Sequence, residues 1–271
     1  MKIRKMLKVF VVAVFLFGLY GTASAADNHW LVTSVDNNWN NAANWGLGHV
    51  PDAVVYVDEE AEIGFTTVGK GPILGLGDVG SAYRLFLGQN DGASMYGEIQ
   101  FDGGTLTTSG YWSTAYHADT SALITMNSGT VYIGAIGGSD GHLYLGRAGS
   151  AIFNMSDGDF TCDDMLQLGK EATGYGEINL AGGVLTASTL SFGLGSGLID
   201  ITGGTLILKG DDTADVVGFI GNGWITGYGS EDNVMYDYNV TNPGDTTVWA
   251  VPEPATICIL AIGALGLLRR K

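Results

Sequence analysis

One phrase recurs five times in the middle of this chain, and each copy contains a glycine corner. The first copy is Gly97-Glu98-Ile99-Gln100-Phe101-Asp102-Gly103-Gly104-Thr105-Leu106-Thr107, and the others fall at residues 122–132, 151–161, 176–186 and 197–207. The corner ends at positions 104, 129, 158, 183 and 204, so the intervals are 25, 29, 25 and 21 residues. Apolar and polar residues alternate with period two inside each copy, which is strand chemistry. A Gly-Gly, Ser-Gly or Asp-Gly pair then lets the backbone turn where other residues are strained. A second phrase precedes most copies: Leu85-Phe86-Leu87-Gly88, Leu143-Tyr144-Leu145-Gly146, Leu166-Gln167-Leu168-Gly169 and Leu190-Ser191-Phe192-Gly193. Each unit therefore holds about three short strands joined by glycine corners.

Two architectures fit short strands at this spacing, an antiparallel sandwich and a parallel β-helix. Sandwich strands seldom repeat one phrase. Coils of a β-helix stack at about 4.8 Å, so equivalent side chains form ladders. The all-β fold expected is a single right-handed parallel β-helix of about six to eight coils. Ile99, Ile124, Phe153, Ile178 and Ile199 should form one ladder, and Phe101, Met126, Met155, Leu180 and Ile201 another. The outward residues Thr105, Thr107, Thr130, Thr186 and Thr205 predict a flat, hydrogen-bonding face. The pattern over about residues 85–208 resembles the autotransporter-associated β-strand repeats of secreted bacterial β-helices.

A stack has open ends that invite aggregation unless covered. Trp30, Trp39 and Trp45, set among asparagines, are expected to cap the first coil; the competing reading is a sugar-stacking platform. The spacing of Trp39 and Trp45 before Val50-Pro51-Asp52 is similar to the opening of many secreted bacterial β-helices. Tyr228, Tyr236, Tyr238 and Trp249 surround Asn242-Pro243-Gly244-Asp245 and suggest a closing strand pair. The expected organisation is a signal peptide at 1–25, an N-terminal cap and first coils at 26–72, and β-helix repeats at 73–210. A C-terminal cap and linker at 211–250 and a sorting tail at 251–271 complete it.

The two ends carry addresses. Lys2, Arg4, Lys5 and Lys8 precede an apolar run over 9–20, and Ala23-Ser24-Ala25 forms a small-residue cleavage site with Ala26 as the first mature residue. That is a secretory signal peptide, read by the Sec translocon. At the other end Val251-Pro252-Glu253-Pro254 precedes an apolar run over 257–268 and then Arg269-Arg270-Lys271. Two prolines in three residues hold the motif extended, as a protease cleft requires. The apolar stretch falls short of the roughly twenty residues of a permanent span, and the cations stop it on the cytoplasmic side. It reads as a transient insertion into the inner membrane. This tail resembles the PEP-CTERM sorting signal of Gram-negative bacteria. The resemblance implies cleavage by the membrane protease exosortase and delivery to the cell surface or the extracellular exopolysaccharide matrix of a biofilm.

Between the ends, residues 26–250 hold five basic and twenty-seven acidic residues, a net charge of −22. Such a surface repels nucleic acid. Cys162 is the only cysteine there, so no intramolecular disulfide supports the fold. Enzymes of the β-helix class cluster carboxylates on neighbouring coils. Here Asp102, Asn127, Ser156, Ala181 and Thr202 share the aligned position, and His29, His49, His117 and His142 look isolated. Asp163-Asp164 and Asp211-Asp212 offer at most a weak Ca²⁺ site, and no other cofactor is expected. The sequence thus favours a non-catalytic surface or matrix protein associated with exopolysaccharide. A polysaccharide lyase or hydrolase is the alternative.

Overall fold

The computed structural model describes residues 27–31, 33–34, 36–64, 71–89, 95–134 and 140–252. The expected signal peptide and nearly all of the expected sorting tail lie outside them. The described residues are mostly strand, with 7% helix, wound into a parallel β-solenoid of about 6 turns. In chain order the strands are β1 (Asp27–His29), β2 (Glu60–Ile63), β3 (Ile73–Gly75), β4 (Val79–Ala82), β5 (Arg84–Leu87) and β6 (Tyr96–Thr108). Next come β7 (Trp112–Thr114), β8 (Ser121–Ile133), β9 (Leu143–Leu145), β10 (Ser150–Met155), β11 (Asp159–Leu168) and β12 (Tyr175–Leu180). After β13 (Val184–Phe192), β14 (Ser196–Ile201) and β15 (Thr205–Lys209) come helix α1 (Thr213–Gly221), β16 (Ile225–Gly227), β17 (Val234–Tyr238) and β18 (Asp245–Ala250).

Three parallel ladders run up the stack. The first face holds β1, β2, β5, β7 and β9, then the second halves of β11 and β13. The second holds β3, the first halves of β6 and β8, then β10, β12, β14 and β16. The third holds β4, the second halves of β6 and β8, the first halves of β11 and β13, then β15. Both expected side-chain ladders are present: Ile99 stacks on Ile124, Phe153, Ile178 and Ile199, and Phe101 on Met126, Met155, Leu180 and Ile201. All ten side chains are buried. Two more columns fill the other corners of the core: Leu85, Trp112, Leu143, Leu166 and Leu190 on the first face, and Leu106, Val131, Phe160, Leu185 and Leu206 on the third. At about 1.5–3 kcal/mol per buried side chain, stacking is what offsets the chain entropy of each coil.

The corners follow the glycines with one exception. Gly103, Gly129, Gly158 and Gly183 have φ of 111°, 114°, 97° and 74°. In the last copy neither Gly203 nor Gly204 is left-handed. There the demand is space: a Cβ on Gly204 would lie 2.6 Å from Leu180 Cγ, and one on Gly203 would lie 2.4 Å from the Ala181 carbonyl oxygen. Cys162 is a core residue whose Sγ meets the Gly141 and Met165 carbonyls, and burial pushes its thiol up to about 12. That thiol is inert at physiological pH.

Trp30, Trp39 and Trp45 close the N-terminal end, each no more than 1% exposed. Trp45 packs edge-on against both others, and its Nε1 donates to the Trp39 carbonyl at 2.8 Å. Buried indoles present no face to a sugar. At the far end β18 reverses direction, pairing antiparallel with both β15 and β17. The strand pair matches expectation, but Tyr228, Tyr236 and Tyr238 are exposed and do not seal the stack. Phe192, Phe219 and Trp224 cluster there instead, with Val216 of α1 fully buried. The helix was not expected. Val216, Phe219 and Ile220 at helical spacing announce it, but the segment is short and contains Gly218.

Candidate functional site

The expected threonine face is broken. Thr105 and Thr130 stack, but Asp159 and Val184 interrupt the column before Thr205. In the next column Tyr132 separates Thr107 from the stacked pair Thr161 and Thr186. Copies align in register, yet nothing in the core constrains what points outward.

Chemistry concentrates on the first face. Its central outward column runs His29, Glu62, Phe86, Ser113, Tyr144, Gln167 and Ser191. The phrase Leu-x-Leu-Gly fixes the inward residues, so the middle position must point out. Phe86 nevertheless is only 3% exposed, because the rings of Tyr111 and Tyr116 close over it at 5.7 and 6.3 Å between centroids. Tyr144 lies 5.8 Å from Tyr111, and His142 5.5 Å from Tyr144. Three cations lie over these rings. Arg84 is 4.6 Å from Tyr83 and 4.5 Å from Tyr111, Arg147 is 4.0 Å from Tyr116, and Lys170 Nζ is 3.6 Å from Tyr144. Three of the five cations between residues 26 and 250 therefore share one face of a strongly acidic rod. Each contact contributes about 0.5–1 kcal/mol where exposed. Arg84 also pairs with Glu60 at 3.0 Å and Arg147 with Glu171 at 3.1 Å. Burial, and then the Arg147 charge, hold the Lys170 pKa below the usual lysine range.

Below this strip the face turns acidic. Asp27, His29, Glu62, Gly64, Gln89, Tyr116 and His117 line a cavity of about 430 Å³. His29 Nδ1 lies 2.8 Å from Glu62 Oε2. Burial, then the carboxylates of Asp27 and Glu60, push Glu62 up to about 7. Three of the four histidines expected to be isolated lie beside a carboxylate: His29 by Glu62, His49 by Glu59 at 3.2 Å, and His142 by Asp164 at 3.4 Å. Each partner lies 10 or more residues away, and the coil or the cap brings it close. Asp163 and Asp211 do not converge with further ligands among the described residues. The Asp163 carbonyl accepts from Ser188, and the Asp211 carboxylate accepts from Thr213. At the aligned polar corner, Asn127 Nδ2 donates to Asp102 Oδ1 at 2.8 Å.

Of the sorting motif, Val251 is exposed and its N–H donates to the Asn233 carbonyl at 2.8 Å. Pro252 is the last described residue. Glu253, Pro254, Arg269, Arg270, Lys271 and the cleavage residues Ala23, Ala25 and Ala26 lie outside the described residues. No helix among the described residues is long and apolar enough to cross a membrane.

A stacked β-solenoid with a tyrosine–cation strip defines a class of repeat protein, here leading into a C-terminal address. Residues 250–271 match the PEP-CTERM protein-sorting motif. The motif marks the chain for export, exosortase processing and sorting to the cell surface or beyond. No curated protein and no solved structure matches the chain. Cleavage near 251–255 is expected, so the intact mass of the secreted form should lack 257–271. Recovery of full-length chain outside the cell would contradict this.

Proposed function

We propose that the processed protein is a non-catalytic surface or matrix component that binds acidic exopolysaccharide along its first face. The supporting observation is the gathering of Arg84, Arg147 and Lys170 over Tyr83, Tyr111, Tyr116 and Tyr144 on a chain that is otherwise acidic. Tyrosine rings stack on the C–H faces of sugars, and guanidinium groups take carboxylates in pairs. The present partners Glu60 and Glu171 do not prevent this. The Glu171 side chain is 50% exposed, and such a pair contributes about 0–1 kcal/mol, so a glycan carboxylate exchanges with it at little cost. Coils rise by about 4.8 Å, so the strip is short and each contact weak. Retention should come from avidity when rods are clustered.

A second reading, a polysaccharide lyase or hydrolase, is favoured by one observation: Glu62 ionises near neutrality beside His29 in a cavity. One experiment separates the two. Purified matrix polysaccharide is used in a bead pull-down, beside a turnover assay for reducing ends and unsaturated sugars. Retention that falls about ten-fold in R147Q/K170Q and in rising salt, without turnover, is expected. Turnover abolished by Glu62→Gln, with no stable retention, would replace the binding reading by the enzymatic one.

A further inference from the structure

We infer that Asp27, His29 and Glu62 form a binding site for a divalent first-row transition ion of the zinc type, stapling β1 to β2. One carboxylate oxygen of Asp27, one imidazole nitrogen of His29 and one carboxylate oxygen of Glu62 all lie within 4.8 Å of one another. The strands enforce this. Asp27 and His29 are two apart on β1 and point to the same side, while Glu62 is the register partner of His29 on β2. Donor atoms around a tetrahedral zinc sit about 2.0–2.2 Å from it, which places them roughly 3.3–3.6 Å apart. The observed spread reaches that arrangement by side-chain rotation alone. The His29 side chain is 58% exposed and has solvent to turn into, whereas that of Glu62 is 12% exposed.

Two independent observations point to a ligand. The triad opens into the 430 Å³ cavity, whose wall includes His117. Gln89 Oε1, on the same wall, is buried without a hydrogen-bond partner, while its Nε2 donates to Glu62 Oε1 at 3.4 Å. An unpaired buried acceptor is destabilising, and a cation or its bound water would satisfy it. The two carboxylates carry the charge a divalent ion needs, and no cation among the described residues pairs with Asp27 or Glu62 other than His29. An imidazole donor selects zinc, nickel, cobalt or copper over Ca²⁺ and Mg²⁺. The consequence is mechanical. β1 is three residues long and joins β2 through three residue pairs at the end of the stack, so it is prone to fray. A metal bridge ties it to the second coil.

The test uses the secreted protein, stripped with a chelator and titrated with ZnCl2 by calorimetry at pH 7.5. One equivalent should bind with micromolar affinity. H29Q and E62Q should each weaken binding about ten-fold or more, D27N should also weaken it, and D164N, at the unrelated His142 pair, should not. Co²⁺ should give visible d–d absorption that H29Q abolishes, and Zn²⁺ should slow amide exchange across 27–31. Circular dichroism checks that each variant keeps the β spectrum. Asp27 is exposed, so D27N serves even if the other two misfold. Absence of saturation, a stoichiometry unchanged in H29Q and D27N, or Ca²⁺ binding as tightly as Zn²⁺ would overturn the inference. None of these outcomes depends on glycan binding.

Discussion

A Gly146→Ala protein is expected to lose about 4 kcal/mol of stability and to melt roughly 8–16 °C lower. Gly146 closes the Leu143-Tyr144-Leu145-Gly146 corner at φ 69°. A Cβ there would lie 1.8 Å from the Tyr175 carbonyl oxygen, 2.4 Å from its carbon and 2.9 Å from Gly176 N. These are backbone atoms of the next coil, fixed by the parallel ladder, so no side chain can rotate away. Gly88 and Gly169 occupy equivalent corners with φ of 68° and 60°, facing the Ser121 and Ser196 carbonyls at 2.6 and 2.3 Å. Gly210 supplies the control. Its φ is 85° but nothing lies within 4 Å of its Cβ position, so Gly210→Ala isolates the backbone penalty of about 1 kcal/mol. Urea unfolding of both variants reads the difference. Equal costs would mean that the close approach of neighbouring coils is not what fixes glycine at these corners.

The repeat made the core legible. Aligning five copies by their corners places Ile99 on Ile124 and Phe101 on Met126 without further information, because a one-residue slip would turn every apolar side chain outward. The same alignment said little about the outward columns. Nothing in the core distinguishes Thr130 from Asp159 at one outward position, and both are found there. The tyrosine–cation strip was illegible for a related reason. Arg84 and Tyr111 stand directly before the register partners Leu85 and Trp112, and Tyr116 and Arg147 follow the left-handed Ala115 and Gly146 of successive coils, but the coil Trp112-Ser113-Thr114-Ala115 lacks the Leu-x-Leu-Gly phrase that would align them in the sequence. Asp27, His29 and Glu62 could not be joined from the sequence at all. The chain between them passes through the tryptophan cap, which repeats nothing, so its length gives no register. The sorting motif lies at the other extreme. A motif read as an extended segment by a protease needs no tertiary partner, and the sequence displays it whole.

Trp45→Ala is expected to cost about 3–5 kcal/mol, with the loss confined to the N-terminal end of the solenoid. Trp45 is 1% exposed, touches Trp30 and Trp39 at 5.1 and 4.8 Å between centroids, and donates to the Trp39 carbonyl. Trp39 in turn lies against Gly80, whose Cβ position is 2.6 Å from its Nε1. Truncation at the centre of the three indoles leaves a cavity that β1 is too short to fill by collapsing. In a solenoid each coil contacts only its neighbours, so the damage should not reach the far coils. Amide exchange should accelerate over 27–64 and stay near its original rate over 175–208. Light scattering should rise, since an opened first coil presents unpaired strand edges. The competing role for these residues, a sugar platform, predicts the opposite pattern: retention on polysaccharide lost and exchange unchanged. Burial of all three rings places the energy of this cluster in closing the stack. Retention on the matrix should therefore survive wherever the first face from Tyr111 to Lys170 remains folded.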